Sequence, residues 1–157
     1  MKITLLMIGK TDREYLKEGI ELYEKRIRRY IEFEIKTLKG IKYEKNRSLN
    51  ELKEPEAKQI ITALDPQDYV VLLDEKGTSF DSSGFADFLT KKIDRGIKHL
   101  VFVVGGAYGF SETIYKRADE SVSLSKMTFS HQIIRLIFSE QLYRAFTIIK
   151  GEPYHNE

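Results

Sequence analysis

An α/β domain built on a mostly parallel central sheet flanked by helices is the fold that this sequence predicts. Short apolar runs alternate along the chain with stretches of helical periodicity, which is the pattern of strand–helix–strand units. Two of the runs, YVVLL at 69–73 and HLVFVV at 99–104, are apolar at nearly every position, as strands covered on both faces are. The chain has 157 residues, 41% of them hydrophobic and 32% charged, which suits one core and a single domain over 1–157. No repeat period or low-complexity tract interrupts it.

Each element has its own signal. KITLLMIG at 2–9 reads as the first strand. Thr11 and Glu14 have the spacing of a capping box, and behind them Leu16, Ile20, Tyr23, Ile27 and Tyr30 recur at helical intervals. IEFEIKTL at 31–38 alternates with period two, a half-buried strand. Residues 39–50 read as a polar loop, followed by a helix to about Leu64 with Pro55 near its first turn. The strand at 69–73 is expected to end at Asp74 and open into the loop DEKGTSFDSS. A helix from Ser82 to Arg95 stops at Gly96, HLVFVV follows, and a short helix spans Ser111 to Arg117 after the turn GGAYG. Beyond SVSLS a last helix runs from about Ser130 to Lys150.

Composition narrows the chemistry. There is no cysteine, so disulfides, thiolate catalysis and Cys-ligated metal are excluded. The opening MKITLLMIGKTD is too short in apolar residues for a signal peptide or a membrane span, so a cytoplasmic protein is expected. The net charge of +2 conceals an asymmetry, because residues 1–50 carry 13 Lys and Arg against 8 Asp and Glu. Lys25, Arg26, Arg28 and Arg29 form the densest part, with Lys36, Lys39, Lys42, Lys45 and Arg47 beyond. Such a stripe can neutralise RNA phosphates, or it can be a solvated face, since Glu21, Glu24, Glu32 and Glu34 are interspersed.

Three loops follow buried strands: LDEKG at 73–77, GGAYG at 105–109 and LSKMTF at 124–129. In a parallel sheet they gather at one end, where ligands bind. The glycine turn fails the dinucleotide fingerprint, being G-G-x-x-G with Ser125 where an acid is required, and it lacks the G-K-[ST] of a phosphate loop. Gly105 and Gly106 then either permit a tight turn with positive φ or leave room for a ligand held by backbone groups. Leu73, Leu124 and Phe129 supply apolar lips suited to a flat heterocycle. The last helix is apolar on more than one face, which predicts either a dimer packed through it or a central core helix.

The segments LDEKG, GGAYGF, SLSKMTFSHQIIRLIFSEQLYRAF and EPYHNE, taken in order, resemble the RlmH family of SPOUT methyltransferases over essentially the whole chain. The resemblance implies a homodimer with its C-terminal half tied in a deep trefoil knot, an exception to the rule that chains do not thread loops. It implies bent S-adenosyl-L-methionine as methyl donor, no metal, and N3 of a pseudouridine in 23S ribosomal RNA as acceptor. Cofactor contacts carry over to Leu73, Gly105, Gly106, Leu124, Ser125, Lys126, Met127, Thr128 and Phe129. The tail retains the family's Tyr154 and His155, and the expected catalytic residues are His155, Tyr154 and Arg135. Arg135 and Arg144 can hold RNA phosphate or lower the acceptor's proton affinity, or else pair with Glu140 at near-helical spacing, and the basic stripe at Arg26, Arg28 and Arg29 is an expected RNA contact. His131, at a helix start that disfavours its cation, reads as a packing or orienting residue. Asn156 departs from the family, whose members often have a basic residue in the tail. A non-catalytic knotted ribosome- or RNA-binding factor, or a SPOUT enzyme for another RNA, is the alternative.

Overall fold

A computed structural model describes residues 1–42 and 45–155; Asn156 lies outside the described residues. The elements in order are β1 (Lys2–Ile8), α1 (Glu14–Ile27), β2 (Glu32–Leu38), α2 (Leu49–Ala63), β3 (Tyr69–Ser79), α3 (Ser82–Asp94), β4 (His99–Val104), α4 (Glu112–Arg117), β5 (Glu120–Ser123) and α5 (Ile133–Ile149). The sheet runs β2-β1-β4-β3-β5 and every pairing in it is parallel. Leu5 stands opposite Ile35 on one side and Phe102 on the other, and Val71 is opposite Phe102.

Alternation along the strands divides the core. Ile3, Leu5, Met7, Val71, Leu100 and Phe102 face Ile27, Phe85, Leu89, Phe138 and Leu142 from α1, α3 and α5. Leu6, Ile8, Val70, Leu72, Val101 and Val103 face Ala57, Ile60 and Ile114 from α2 and α4. Both faces are thus covered, which is why the central strands carry no polar alternation. Among the described residues no helix is long and apolar enough to cross a membrane.

Four boundaries differ from expectation. The Thr11–Glu14 capping box does not form: α1 begins at Glu14 with Arg13 as an N-cap that makes no side-chain bond, and the Thr11 hydroxyl instead accepts from Arg135 Nη1 at 3.0 Å. A capping box does form at Ser48, whose Oγ accepts from Glu51 N (3.3 Å) while Glu51 Oε2 accepts from Ser48 N (3.0 Å). It starts α2 inside the expected loop, so Pro55 sits in the second helical turn and leaves the Glu51 carbonyl without its intrahelical donor. At the other end of the chain α5 starts at Ile133, three residues late, and the Ser130 hydroxyl accepts from Ile133 N at 3.2 Å.

The fourth difference shapes the site. β3 does not end at Asp74 but continues to Ser79, with Leu73 and Thr78 both opposite Val122. Residues 74–77 therefore bulge out of the strand. Gly77 permits this, because a Cβ there would lie 2.6 Å from the backbone of Ser121 and Val122.

At the amino ends of β3 and β5 Lys92, almost wholly buried, pairs with Glu120 and lies over the rings of Tyr69 and Phe88. Tyr69 OH donates to the same Glu120 oxygen. Burial works to raise the Glu120 carboxyl, but bonds from Lys92 and Tyr69 outweigh it and hold the group below its ordinary 4.5. A depressed folded-state pKa contributes stability above the unfolded value and loses it as pH falls through the folded one. Glu120→Gln should therefore cost about 2 kcal/mol at neutral pH, below the range for a fully buried pair because Glu120 is partly exposed. Urea unfolding at stepped pH should show the gap to the parent protein closing below about pH 4 as the parent's carboxylate protonates.

Candidate active site at the carboxyl edge of the sheet

The bulge within β3 and the segments after β4 and β5 converge on one cavity of about 680 Å³. Its walls are the bulge at 73–76, the turn at 104–110 and the loop from Leu124 to Ile134. This is the carboxyl end of three parallel strands, where each backbone must leave the sheet and a crevice opens. Leu73, Gly105, Gly106, Leu124, Ser125, Met127, Thr128 and Phe129 all line it. Lys126, in the same loop, does not line it and is exposed.

The two adjacent glycines are not there for left-handed backbone. Neither Gly105 nor Gly106 has positive φ; in this turn only Gly109 does, at +76°. A Cβ on Gly105 would come within 3.1 Å of the Phe110 ring. On Gly106 it would strike the Glu56 carboxylate, which is buried under the turn. The missing side chains thus make room for protein groups behind the wall, and the wall presents backbone to the cavity.

Side-chain bonds brace the rim. Thr128 Oγ1 donates to Glu75 Oε2 (3.0 Å), tying the 124–130 loop to the bulge, and Tyr115 OH donates to Asp74. Burial first, and then the Asp74 bond, raise the Tyr115 phenol above its ordinary range, so it remains a donor. Ser125 Oγ accepts from Met127 N at 2.9 Å and Ser123 Oγ donates to Ser125 O at 2.8 Å, which curls the loop. The mouth carries two carboxylates, Asp74 and Glu75, beside the exposed Met127 and Phe129. His131 also lines the cavity, and burial followed by the Arg135 charge lowers its pKa, favouring the neutral ring. Among the described residues no group of three or more His, Asp or Glu is placed to hold a metal ion.

Arg135 is not where a catalytic or RNA-contacting arginine would be. It is completely buried, and it donates to Ile8 O (2.6 Å), Gly9 O (3.1 Å) and Thr11 Oγ1 (3.0 Å). Burial lowers its pKa, and the bonds to the end of β1 offset much of the cost of burying the guanidinium, although its Nε has no hydrogen-bond partner among the described residues. It positions the start of α5 against β1.

The tail residues form a second cluster. Gly151, at φ +67°, closes α5 and turns the chain back along the helix. Tyr154 OH then donates to Glu140 Oε1 (3.3 Å), and its ring packs edge-on to Tyr143. Glu140 accepts from Arg144 Nη2 at 2.5 Å, Arg144 lies 4.8 Å over the Tyr154 ring, and His155 Nδ1 is 3.4 Å from Arg144 Nη1. Arg26 joins this cluster over the rings of Tyr23 and Tyr143. Arg28 is engaged by Glu24 (2.6 Å) and by Phe33 O (3.0 Å), whereas Arg29 is exposed. None of Arg144, Tyr154 and His155 lines the cavity of its own chain.

Several wall residues were not anticipated. Asp74 and Glu75 lie within the LDEKG segment but had been assigned no role, while Tyr115 and Lys53 come from helices α4 and α2, where nothing local marks them.

Comparison with known proteins agrees with this arrangement. The family described as "Predicted SPOUT methyltransferase" matches residues 1–155. A protein of Parabacteroides distasonis named ribosomal RNA large subunit methyltransferase H is 57% identical over the full length of both chains. Proteins of the same name from Flavobacterium johnsoniae (52%, full length of both) and Christiangramia forsetii (51%, 99% of both) are similarly close. With its parallel sheet, its carboxyl-edge cavity and a family match along nearly all of its length, the chain belongs to the SPOUT methyltransferase family.

Proposed function

We propose that this protein methylates N3 of a pseudouridine in 23S ribosomal RNA from S-adenosylmethionine, as a cytoplasmic homodimer whose C-terminal half forms a trefoil knot. The observation that carries the reading is the cavity at the ends of β3, β4 and β5, which combines backbone, apolar and acidic walls. Its size lies within the ordinary range of small-molecule sites. Leu73, Leu124 and Ile134 offer apolar surface to an adenine, the 105–109 turn offers backbone donors and acceptors, and Asp74 and Glu75 can accept from ribose hydroxyls or offset a cation. S-adenosylmethionine supplies an electrophilic methyl group on a sulfonium. The course of residues 124–132 supports the knot: this segment returns from the β5 edge to Lys10 and Asp12 beside β1, and with the glycine turn it walls the cavity.

The acceptor nitrogen carries a proton that must leave, and the tail cluster suits that task. Arg144 is held in its charged form by Glu140, so it can stabilise a developing anion. Burial, followed by the Tyr23 bond, raises the Tyr154 phenol above its ordinary range, which makes it a donor and leaves His155 as the group to take the proton. Since these residues lie away from their own cavity, the partner subunit's cavity is where they act. Exposed Met127, Phe129 and Ile133 give a second copy apolar surface to cover.

Four measurements test this. Calorimetry should show S-adenosylmethionine binding, and labelled methyl transfer onto ribosomal particles from an unmodified strain should place the label on a pseudouridine; no binding in calorimetry ends the enzyme reading. His155→Ala should slow transfer by about 10²-fold with cofactor affinity nearly intact, and equal activity would remove His155 from the mechanism. Sedimentation at micromolar concentration should report a dimer, whereas a clean monomer would refute the shared site.

A further inference from the structure

A second hollow, about 700 Å³, opens on the same edge of the sheet at the ends of β1 and β2. Lys10, Thr11, Lys17, Thr37, Lys39 and Gly40 line it, so its wall holds three lysines and no carboxylate. Lys17 has only a solvent-exposed partner, Glu14 at 3.3 Å. Lys10 and Lys39 are exposed and make no ion pair with another described residue. Like charges gathered without acids repel one another, and an anion removes that cost.

The hollow is also held rigidly beside the cofactor cavity. Gln132 Nε2 donates to Lys10 O (3.2 Å) and its Oε1 accepts from Asp12 N (3.0 Å), while Arg135 holds Gly9 O and the Thr11 hydroxyl. The residue before Gln132 is His131, a wall of the cavity. Only β4 lies between β1 and β3, so at about 4.8 Å per strand these two strands run roughly 10 Å apart. A few nucleotides of single strand cover that distance.

We propose that Lys10, Lys17 and Lys39 grip the phosphodiester backbone of the substrate RNA next to the nucleotide being methylated. The assignment rests on the RNA methyltransferase reading above. It places the grip at the sheet edge, apart from the Arg26–Arg29 segment, where Arg26 and Arg28 are engaged by Tyr143 and Glu24.

The test is a Lys10→Ala/Lys39→Ala double variant of the full chain, with Lys10→Arg/Lys39→Arg as its charge-preserving control. Large ribosomal subunits from an unmodified strain are the probe, titrated at several salt concentrations. The alanine variant should bind them about 10-fold more weakly at 0.1 M salt, with a log–log salt slope shallower by roughly 1.4 to 1.8. KM for the particles should rise with kcat little changed, and S-adenosylmethionine affinity and melting temperature should match the parent. The arginine control should retain parental binding. Unchanged particle affinity and salt slope in the alanine variant overturn the proposal, as does a parallel loss of cofactor affinity. Loss of stabilisation by inorganic phosphate alone, with particle binding intact, makes the hollow a free-anion site and also overturns it. If the parent binds particles through these lysines but transfers no methyl group, the methyltransferase reading falls and the RNA grip stands.

Discussion

Much of the molecule depends on one buried cation. Arg135 sits at the start of α5 with no exposed surface and fastens that helix to the last carbonyls of β1. A lone guanidinium in such a place would be prohibitive, and the carbonyls at the end of a parallel strand are otherwise short of donors. The two Nη groups meet that need, while Nε stays without a partner among the described residues. The bond fixes where the chain returns after its excursion from the β5 edge, and so fixes the loop that closes the cavity. It also sets the β1–α1 turn, where the Thr11 hydroxyl accepts from the same guanidinium. The walls of both hollows are thereby referred to a single side chain.

From that anchoring follows a division of charge along the sheet edge. The bulge in β3 places Asp74 and Glu75 on the cavity wall together with Lys76 and, from α2, Lys53, whereas the hollow beyond β1 and β2 is lined by Lys10, Lys17 and Lys39 with no carboxylate. Carboxylates on the cavity wall suit the sulfonium and ammonium of the proposed donor, and a lysine hollow suits phosphate. The bulge at 74–77 makes the acidic rim possible, since a regular strand would carry those residues onward along the sheet.

The strands were legible because their apolar runs are local signals, and the three loops were legible as a site because each follows such a run. Where the reading failed, a distant partner had intervened. Thr11–Glu14 and Ser48–Glu51 have equivalent spacing, yet only the second caps a helix, because the first threonine is engaged by a residue 124 positions later. β3 looked finished at Asp74 because polar residues follow, and the return to pairing at Thr78 depends on β5. Arg135 resembled a catalytic arginine by type and neighbourhood in sequence, and its burial is a property of the packed α5–β1 contact alone. The two adjacent glycines suggested positive φ, which neither has, and Phe110 and Glu56 occupy the space that their missing side chains leave.

The tail gives the strongest structural reason to consider two chains together. Gly151 reverses the chain so that Tyr154 and His155 lie against Arg144 and Glu140 on the body of α5. Four polar groups in mutual contact, with the tyrosine held protonated and the arginine held charged, make an organised cluster rather than a frayed end. An organised cluster of donors adds nothing to a cavity that it does not line. In the homodimer proposed above, packed through α5, the same cluster would face the partner's cavity, and two incomplete sites would become two complete ones. That proposal gives the apolar start of α5 and the polar end of its tail one explanation: the first would bury against the partner, and the second would be carried to it.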